Sequence, residues 1–239
     1  MRGRKPARSL AEVADAAVRV FADKGFRPTG ISDVSAALGL SHGALYTYVD
    51  SKQALLYLAL LRVLRPDAVG VLAIPVAAPP PQEIVALLEA WLAGQGGVRA
   101  VDAAGYLDTR LAGQELGAMI DALYGFVERN RQALLLIERC APELPELAKW
   151  YFVERRRANL EQIGEYLRHR IRSGDLRPVP DVPAAARFIV ETIAWFAMHR
   201  HGDPDSANLD DDACRSRVRH LLLAAFLPPA VETAAHEVG

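Results

Sequence analysis

Apolar residues in this chain return every third or fourth position in one segment after another, and two-residue alternation of β-branched and aromatic residues persists nowhere. That period lines one face of a helix and not one face of a pleated strand, so the fold predicted is all-α. Leu10, Val13, Ala17, Val20 and Phe21 form a first stripe, closed by Gly25 after Lys24. Ile31, Val34 and Leu38 form a second, and Leu45 and Val49 belong to a third, shorter one. Asp50-Ser51 offers a cap for a fourth helix from Gln53 to Leu64, which Pro66 stops or kinks because proline lacks the N–H that continues a helix.

Residues 66–82 read as a linker, most clearly marked by Pro79, Pro80 and Pro81. Beyond it, helices are predicted at 82–94, 103–111, 115–140, 145–173, 181–200 and 210–227, with Gly174 as a C-terminal cap and Asp181 as a helix start. About nine or ten helices result in total. Residues 228–239 read as a frayed tail.

With 51% hydrophobic and 24% charged residues, the chain can bury a core and is not disordered by composition. Cys140 and Cys214 lie far apart with no CxxC spacing, which argues against a disulfide framework or a zinc site and fits a reducing cytoplasm. No signal peptide is expected, since no apolar run follows the basic start. Ala54–Leu61 is too short to span a bilayer, and the uncharged stretch 68–81 is broken by prolines.

The net charge of −1 hides an asymmetry. Residues 1–52 hold eight basic residues (Arg2, Arg4, Lys5, Arg8, Arg19, Lys24, Arg27, Lys52) against five acidic ones (Glu12, Asp15, Asp23, Asp33, Asp50), a net of +3. The remainder therefore carries −4. An N-terminal segment of this sign suits a polyanion.

The stretch Ile31–Val49 holds what two short helices need in order to cross steeply. Ser35 is small where the backbones meet, Gly39 leaves the first helix in the left-handed conformation, and Ser41 caps the second. Val34, Leu38, Leu40, Leu45 and either Tyr48 or Val49 face inward. His42, Gly43, Ala44, Tyr46 and Thr47 then face outward, a small, polar face that fits a major groove. Spacing alone also allows an ordinary helical hairpin, the less favoured of the two readings.

The surrounding residues are more specific. Ala16-Ala17-Val18-Arg19-Val20-Phe21-Ala22-Asp23-Lys24-Gly25-Phe26, then Ile31–Leu38, Gly39–Tyr46 and Tyr48-Val49-Asp50-Ser51-Lys52 run without a gap. Residues 9–61 thereby resemble the N-terminal domain of the tetracycline-repressor (TetR) family of regulators. The resemblance implies a three-helix helix-turn-helix domain at 9–52 that binds DNA, followed by a larger helical bundle at 53–227 that dimerises and encloses a small-molecule pocket. It also implies that His42, Gly43 and Ala44 approach bases, that Tyr46 and Lys52 touch phosphates, and that Ser32 reaches the DNA. Ser41, Thr47 and Tyr48 complete the expected contact surface. Tyr48 and Val49 stand where many members have His and Phe, and Gly30 stands where Ser or Thr is usual. The basic arm 1–8, with Arg4, Lys5 and Arg8, is expected to lie along phosphates or in a minor groove.

Trp91, Tyr106, Met119, Leu123, Trp150 and Tyr151 are candidate pocket residues, although helical spacing makes each a core residue first. The segments 181–200 and 210–227 are apolar over more than one stripe, which predicts a two-fold four-helix interface with Phe188, Phe196, Val218, Leu222 and Phe226 in it. The cluster His199, His201, Asp203, Asp205 sits at a helix end where basic residues complement the dipole, and no metal is assigned to it. Arg155-Arg156-Arg157 reads as a solvated face. No phosphate-loop, HExxH or dinucleotide pattern is present, so neither a cofactor nor an enzymatic activity is expected.

The expectation is a cytoplasmic, ligand-responsive regulator, a repressor by preference, that binds a pseudo-palindromic operator as a homodimer. The rival reading is an all-helical small-molecule-binding protein with a degenerate DNA-binding motif. The operator, the effector and the regulated genes are not readable from the sequence.

Overall fold

The computed structural model describes residues 8–95 and 112–229. Arg4, Lys5, Tyr106 and the predicted helix 103–111 lie outside the described residues. In chain order the helices are α1 (Leu10–Lys24), α2 (Ile31–Leu38), α3 (His42–Leu45), α4 (Lys52–Leu64), α5 (Pro66–Val69), α6 (Pro81–Gly94), α7 (Ala112–Arg129), α8 (Arg131–Cys140), α9 (Pro145–Ala148), α10 (Ala158–Arg172), α11 (Val182–Ala197) and α12 (Asp211–Phe226). A π-helical stretch, Lys149–Arg157, joins α9 to α10. No strand occurs among the described residues; one isolated bridge pairs Val49 with Val76. No helix among them is long and apolar enough to cross a membrane.

The chain forms two compact units, one of residues 1–97 with Asn130–Arg157, the other of residues 98–129 with 158–239. In the first unit, α1 starts on a reciprocal cap. The Ser9 hydroxyl accepts the Glu12 N–H (3.2 Å), and the Glu12 carboxylate accepts the Ser9 N–H (2.7 Å). That backbone N–H is the main reason the Glu12 carboxyl sits below the usual range. Helix α1 packs against α4, α8 and α2, so it buries Ala14, Ala16 and Val18 in addition to its predicted stripe. Helix α4 is buried nearly all round, Leu55, Leu58 and Leu60 completely. Arg62 fixes it to α1 through two hydrogen bonds to Asp15 (2.7 and 3.2 Å).

Three predicted elements differ from what the structure shows. The stretch 66–82 is not an open linker. After α5 it returns to the end of the helix-turn-helix, where Val76 donates to the Tyr48 carbonyl (2.7 Å) and accepts from the Asp50 N–H (3.0 Å). The predicted helix 115–140 breaks at Asn130 (φ −108°, ψ 12°) into α7 and α8, which belong to different units. The predicted helix 145–173 is α9, the π-helical stretch and α10, and here too the chain changes unit, at Arg157. Buried residues lie beyond each break, Leu123 and Ala133 around the first and Trp150 and Ile163 around the second, in different units.

The second unit packs α7, α10, α11 and α12 around Leu116, Ile120, Leu167, Ile189, Ile193 and Leu222. This corrects the predicted interface. Val218, Leu222 and Phe226 lie in the unit's own core, Leu222 with 1% of its surface exposed, and Phe196 is half-buried against it. The faces left outside carry Phe188 and Leu221, each 58% exposed, and Trp195. The sequence showed two apolar faces on each helix but could not say which one the protomer covers.

Two arginines are buried in this core. Arg170 on α10 ion-pairs with Glu115 of α7 and with Asp175 (2.9 Å), just past the left-handed Gly174 (φ +80°). Arg200 holds the end of α11 to the start of α12: it donates to the carbonyls of Phe196 (2.7 Å) and Leu209 (2.9 Å) and ion-pairs with Asp211. Asp203, once grouped with the histidines, accepts from the Asp205 N–H (3.2 Å) and the Ser206 hydroxyl (2.7 Å) and so forms the turn.

Removing one member of a buried ion pair strands the others, at a cost of about 3–5 kcal/mol. Arg170→Ala is therefore expected to lower stability by about that amount in urea denaturation; a loss below about 1 kcal/mol would show that the pairing contributes nothing net. The pH dependence has a definite sign. The Ser173 hydroxyl and the Arg170 guanidinium hold the Asp175 carboxyl below the usual aspartate range. Its contribution is thus complete above that range and is lost as pH falls through the lowered value. Asp175→Asn is expected to be less stable at neutral pH and to show a shallower decline on acidification, read from unfolding midpoints at descending pH.

Candidate nucleic-acid interface

The site is built on a turn that only glycine enters without strain. Gly39 ends α2 at φ +67°. Its N–H reaches Ala36 O (3.0 Å), and the Leu40 N–H reaches Ser35 O (2.9 Å). Ser35 is the small residue at the crossing, buried, its hydroxyl donating to Ser32 O (3.0 Å). Ser41 then caps α3, accepting the Ala44 N–H (3.2 Å). At the start of α2, Gly30 has no side chain to cap with. The cap runs in reverse, the Asp33 carboxylate accepting the Gly30 N–H (2.6 Å) while Lys24 pairs with its other oxygen (2.8 Å). Those two contacts, Lys24 first, hold the Asp33 carboxyl below its usual range.

α3 is one turn long, and Tyr46–Tyr48 continue it as a turn. Leu45 and Val49 have no exposed surface, and Tyr48 only 7%. Ser41, His42, Gly43, Tyr46 and Thr47 are exposed and Ala44 half-buried. They form two rows: His42 and Tyr46 with rings edge-to-face at 5.4 Å, and Gly43 and Thr47 one turn apart. Tyr48, expected among the contacts, is a core residue, because the bridge to Val76 turns that part of the chain inward.

The surface is small, polar and uncharged, with a groove of about 490 Å³ lined by Arg19, Val20, Asp23, Lys24, Asp33 and Ala36 elsewhere on α1 and α2. Residues 13–57 match the family described as bacterial regulatory proteins, tetR family. The chain is 24% identical over 207 residues to the HTH-type transcriptional repressor KstR2 of Mycolicibacterium smegmatis, covering 85% of each. Among solved structures it is similar to KstR2 of Mycobacterium tuberculosis (TM-score 0.56, 18% identity, 95% of this chain and 100% of that one). It is also similar to AibR solved with isovaleryl coenzyme A and operator DNA (TM-score 0.53, 17% identity, 91% and 99%). These likenesses extend the similarity of fold beyond the matched segment.

Two of the basic residues expected at the DNA, Arg8 and Lys52, have internal partners. The Arg8 guanidinium reaches Glu12 (3.0 Å) and the Leu38 carbonyl (3.1 Å), clipping the chain to the end of α2. The Lys52 ammonium donates to the Arg27 carbonyl (3.0 Å) and lies 4.5 Å from the centre of the Phe26 ring, which stacks on Phe21. Ser32 is exposed in the first turn of α2. Sequence reasoning missed the far side of this joint. The Arg27 N–H donates to Glu143, and a Cβ on Gly25 (φ +83°) would sit 3.1 Å from the Arg139 carbonyl at the end of α8. Gly25 was legible as a helix end; nothing in the sequence announced partners more than a hundred residues away.

The candidate pocket residues that the structure describes are divided between the two units. Trp91, Trp150 and Tyr151 belong to the first, where the Trp150 N–H donates to Glu89 (2.5 Å), itself paired with Arg155. Met119 and Leu123 lie in the core of the second.

Lys52→Met is expected to lower thermal stability by about 1 kcal/mol through the lost hydrogen bond and ring contact. The slope of log affinity against log salt is expected to stay put. A slope smaller by about one would instead give the charge of Lys52 to a phosphate.

Proposed function

We propose that this chain is a ligand-responsive transcriptional regulator of the repressor type that reads a pseudo-palindromic operator as a homodimer in the cytoplasm. One observation carries the reading. The exposed rows His42/Tyr46 and Gly43/Thr47 stand on a one-turn helix whose other side is wholly committed to the core. Groups so fixed and so exposed suit base edges in a major groove. Ser41, Ser32 and the arm residues Arg4, Lys5 and Arg8 supply the flanking backbone contacts in this reading. The effector is a small molecule held by the helices beyond α4, as isovaleryl coenzyme A accompanies AibR. No catalytic group is required.

The dimer in this reading uses the outward faces of α11 and α12, where Phe188, Trp195 and Leu221 are exposed. Two motifs can then meet half-sites one helical turn apart, ~34 Å. Binding-site selection from genomic fragments, followed by gel shifts across a salt series, tests the DNA reading. A selected inverted repeat bound with a steep salt slope is expected, and retention of no fragment counts against it. Phe188→Glu with Trp195→Glu is expected to give a folded monomer in light scattering, whereas Leu222→Glu buries a charge in the core and unfolds the second unit. A wild-type chain that is monomeric at micromolar concentration removes the dimer.

A further inference from the structure

The direction of one hydrogen bond restricts what the recognition surface can read. The Thr47 hydroxyl oxygen lies 2.7 Å from the Ala44 carbonyl oxygen. A carbonyl has no proton to give, so the hydroxyl proton lies on this line. What Thr47 presents outward is therefore two lone pairs and a methyl group, with no donor. Ser41 is the opposite case: its oxygen accepts the Ala44 N–H (3.2 Å), which leaves its proton free.

Phosphate oxygens only accept, so Thr47 has nothing to offer the backbone, whereas Ser41 does. In the major groove, adenine offers its N6 amino group and cytosine its N4 amino group; guanine offers O6 and N7, and thymine O4, all acceptors. Every base pair carries one amino group there, on one strand or the other, so an acceptor-only side chain distinguishes A or C from G or T on the strand it faces.

Gly43 makes that approach feasible. It lies one turn before Thr47 in the same row, its φ is not positive, and a Cβ built on it meets nothing within 4 Å. Neither packing nor backbone conformation asks for glycine, a poor helix former. Among the described residues nothing fills the space it leaves. The neighbouring His42/Tyr46 row is filled by two rings in contact.

We infer that Thr47 selects an amino-bearing base, adenine or cytosine, at one base pair of each half-site, over the opening left by Gly43. This rests on the DNA-binding reading above and adds the base class that the motif specifies. The preference at a single well-made contact is about tenfold.

The test is selection from a randomised double-stranded pool with the full-length chain, its Thr47→Val variant and its Thr47→Ser variant. Valine keeps the shape and removes the lone pairs; serine keeps the oxygen. Expected is a wild-type motif with A or C enriched about tenfold over G or T at one position per half-site, a preference lost with valine and kept with serine. A wild-type motif that survives the valine change intact overturns the inference and leaves the DNA-binding reading standing. So does a valine-sensitive position that groups A with G, or A with T, on whichever strand it is read, because an acceptor-only contact separates A and C from G and T. A wild-type chain that selects no motif overturns both.

Discussion

A helix of one turn has no stability of its own, because nucleation costs more than a few hydrogen bonds return. α3 exists because Leu45, Tyr48 and Val49 are buried beneath it and because Val76 bonds to the backbone on both sides of Val49. Everything the chain presents to a groove depends on that anchorage. The outward side chains occupy fixed positions because the inward ones have no freedom. The strap that ends in Val76 is therefore part of the recognition element, although some thirty residues of sequence separate them.

The same logic explains why charge counts and available charge differ. Residues 1–52 carry a net +3, yet Lys24 is paired with Asp33, Arg8 with Glu12 and Leu38, and Lys52 with Arg27 and Phe26. Much of the basic character stabilises the joints between helices. What remains at the recognition surface is hydroxyls, one imidazole and an open glycine, chemistry suited to base edges more than to phosphates. Hydrogen-bond direction carries information here that residue type does not: Ser41 and Thr47 are both hydroxyl residues, and only one has a proton to spare.

The helix-turn-helix was legible because local physics decides it. Gly39 must be left-handed, Ser41 caps, Ser35 is small at a crossing, and each condition names its residue type at its own position. Helices α1, α2, α4, α6, α11 and α12 followed from apolar period and caps in the same way. What was not legible is non-local. Asn130 interrupts a continuous apolar pattern without a proline or glycine, since burial continues on both sides of the break. The assignment of Val218, Leu222 and Phe226 to an interface failed for a related reason. A helix with two apolar faces announces two neighbours and does not say which belongs to its own chain.

The motif is also less self-contained than its contiguous sequence suggests. The inner face of α1 is shared by α4 and α8, and the turn after α1 is fixed from outside by the Arg139 carbonyl against Gly25 and by Glu143 on the Arg27 N–H. Both partners come from the stretch Asn130–Arg157, which packs in the same unit as the N-terminal helices. Lys52 touches the same turn from the start of α4. The turn between α1 and α2 is thus held by the helix that follows the recognition element and by residues downstream of α7. Apolar burial holds the helices of this unit together, and these few polar contacts set the register in which α2 and α3 are presented.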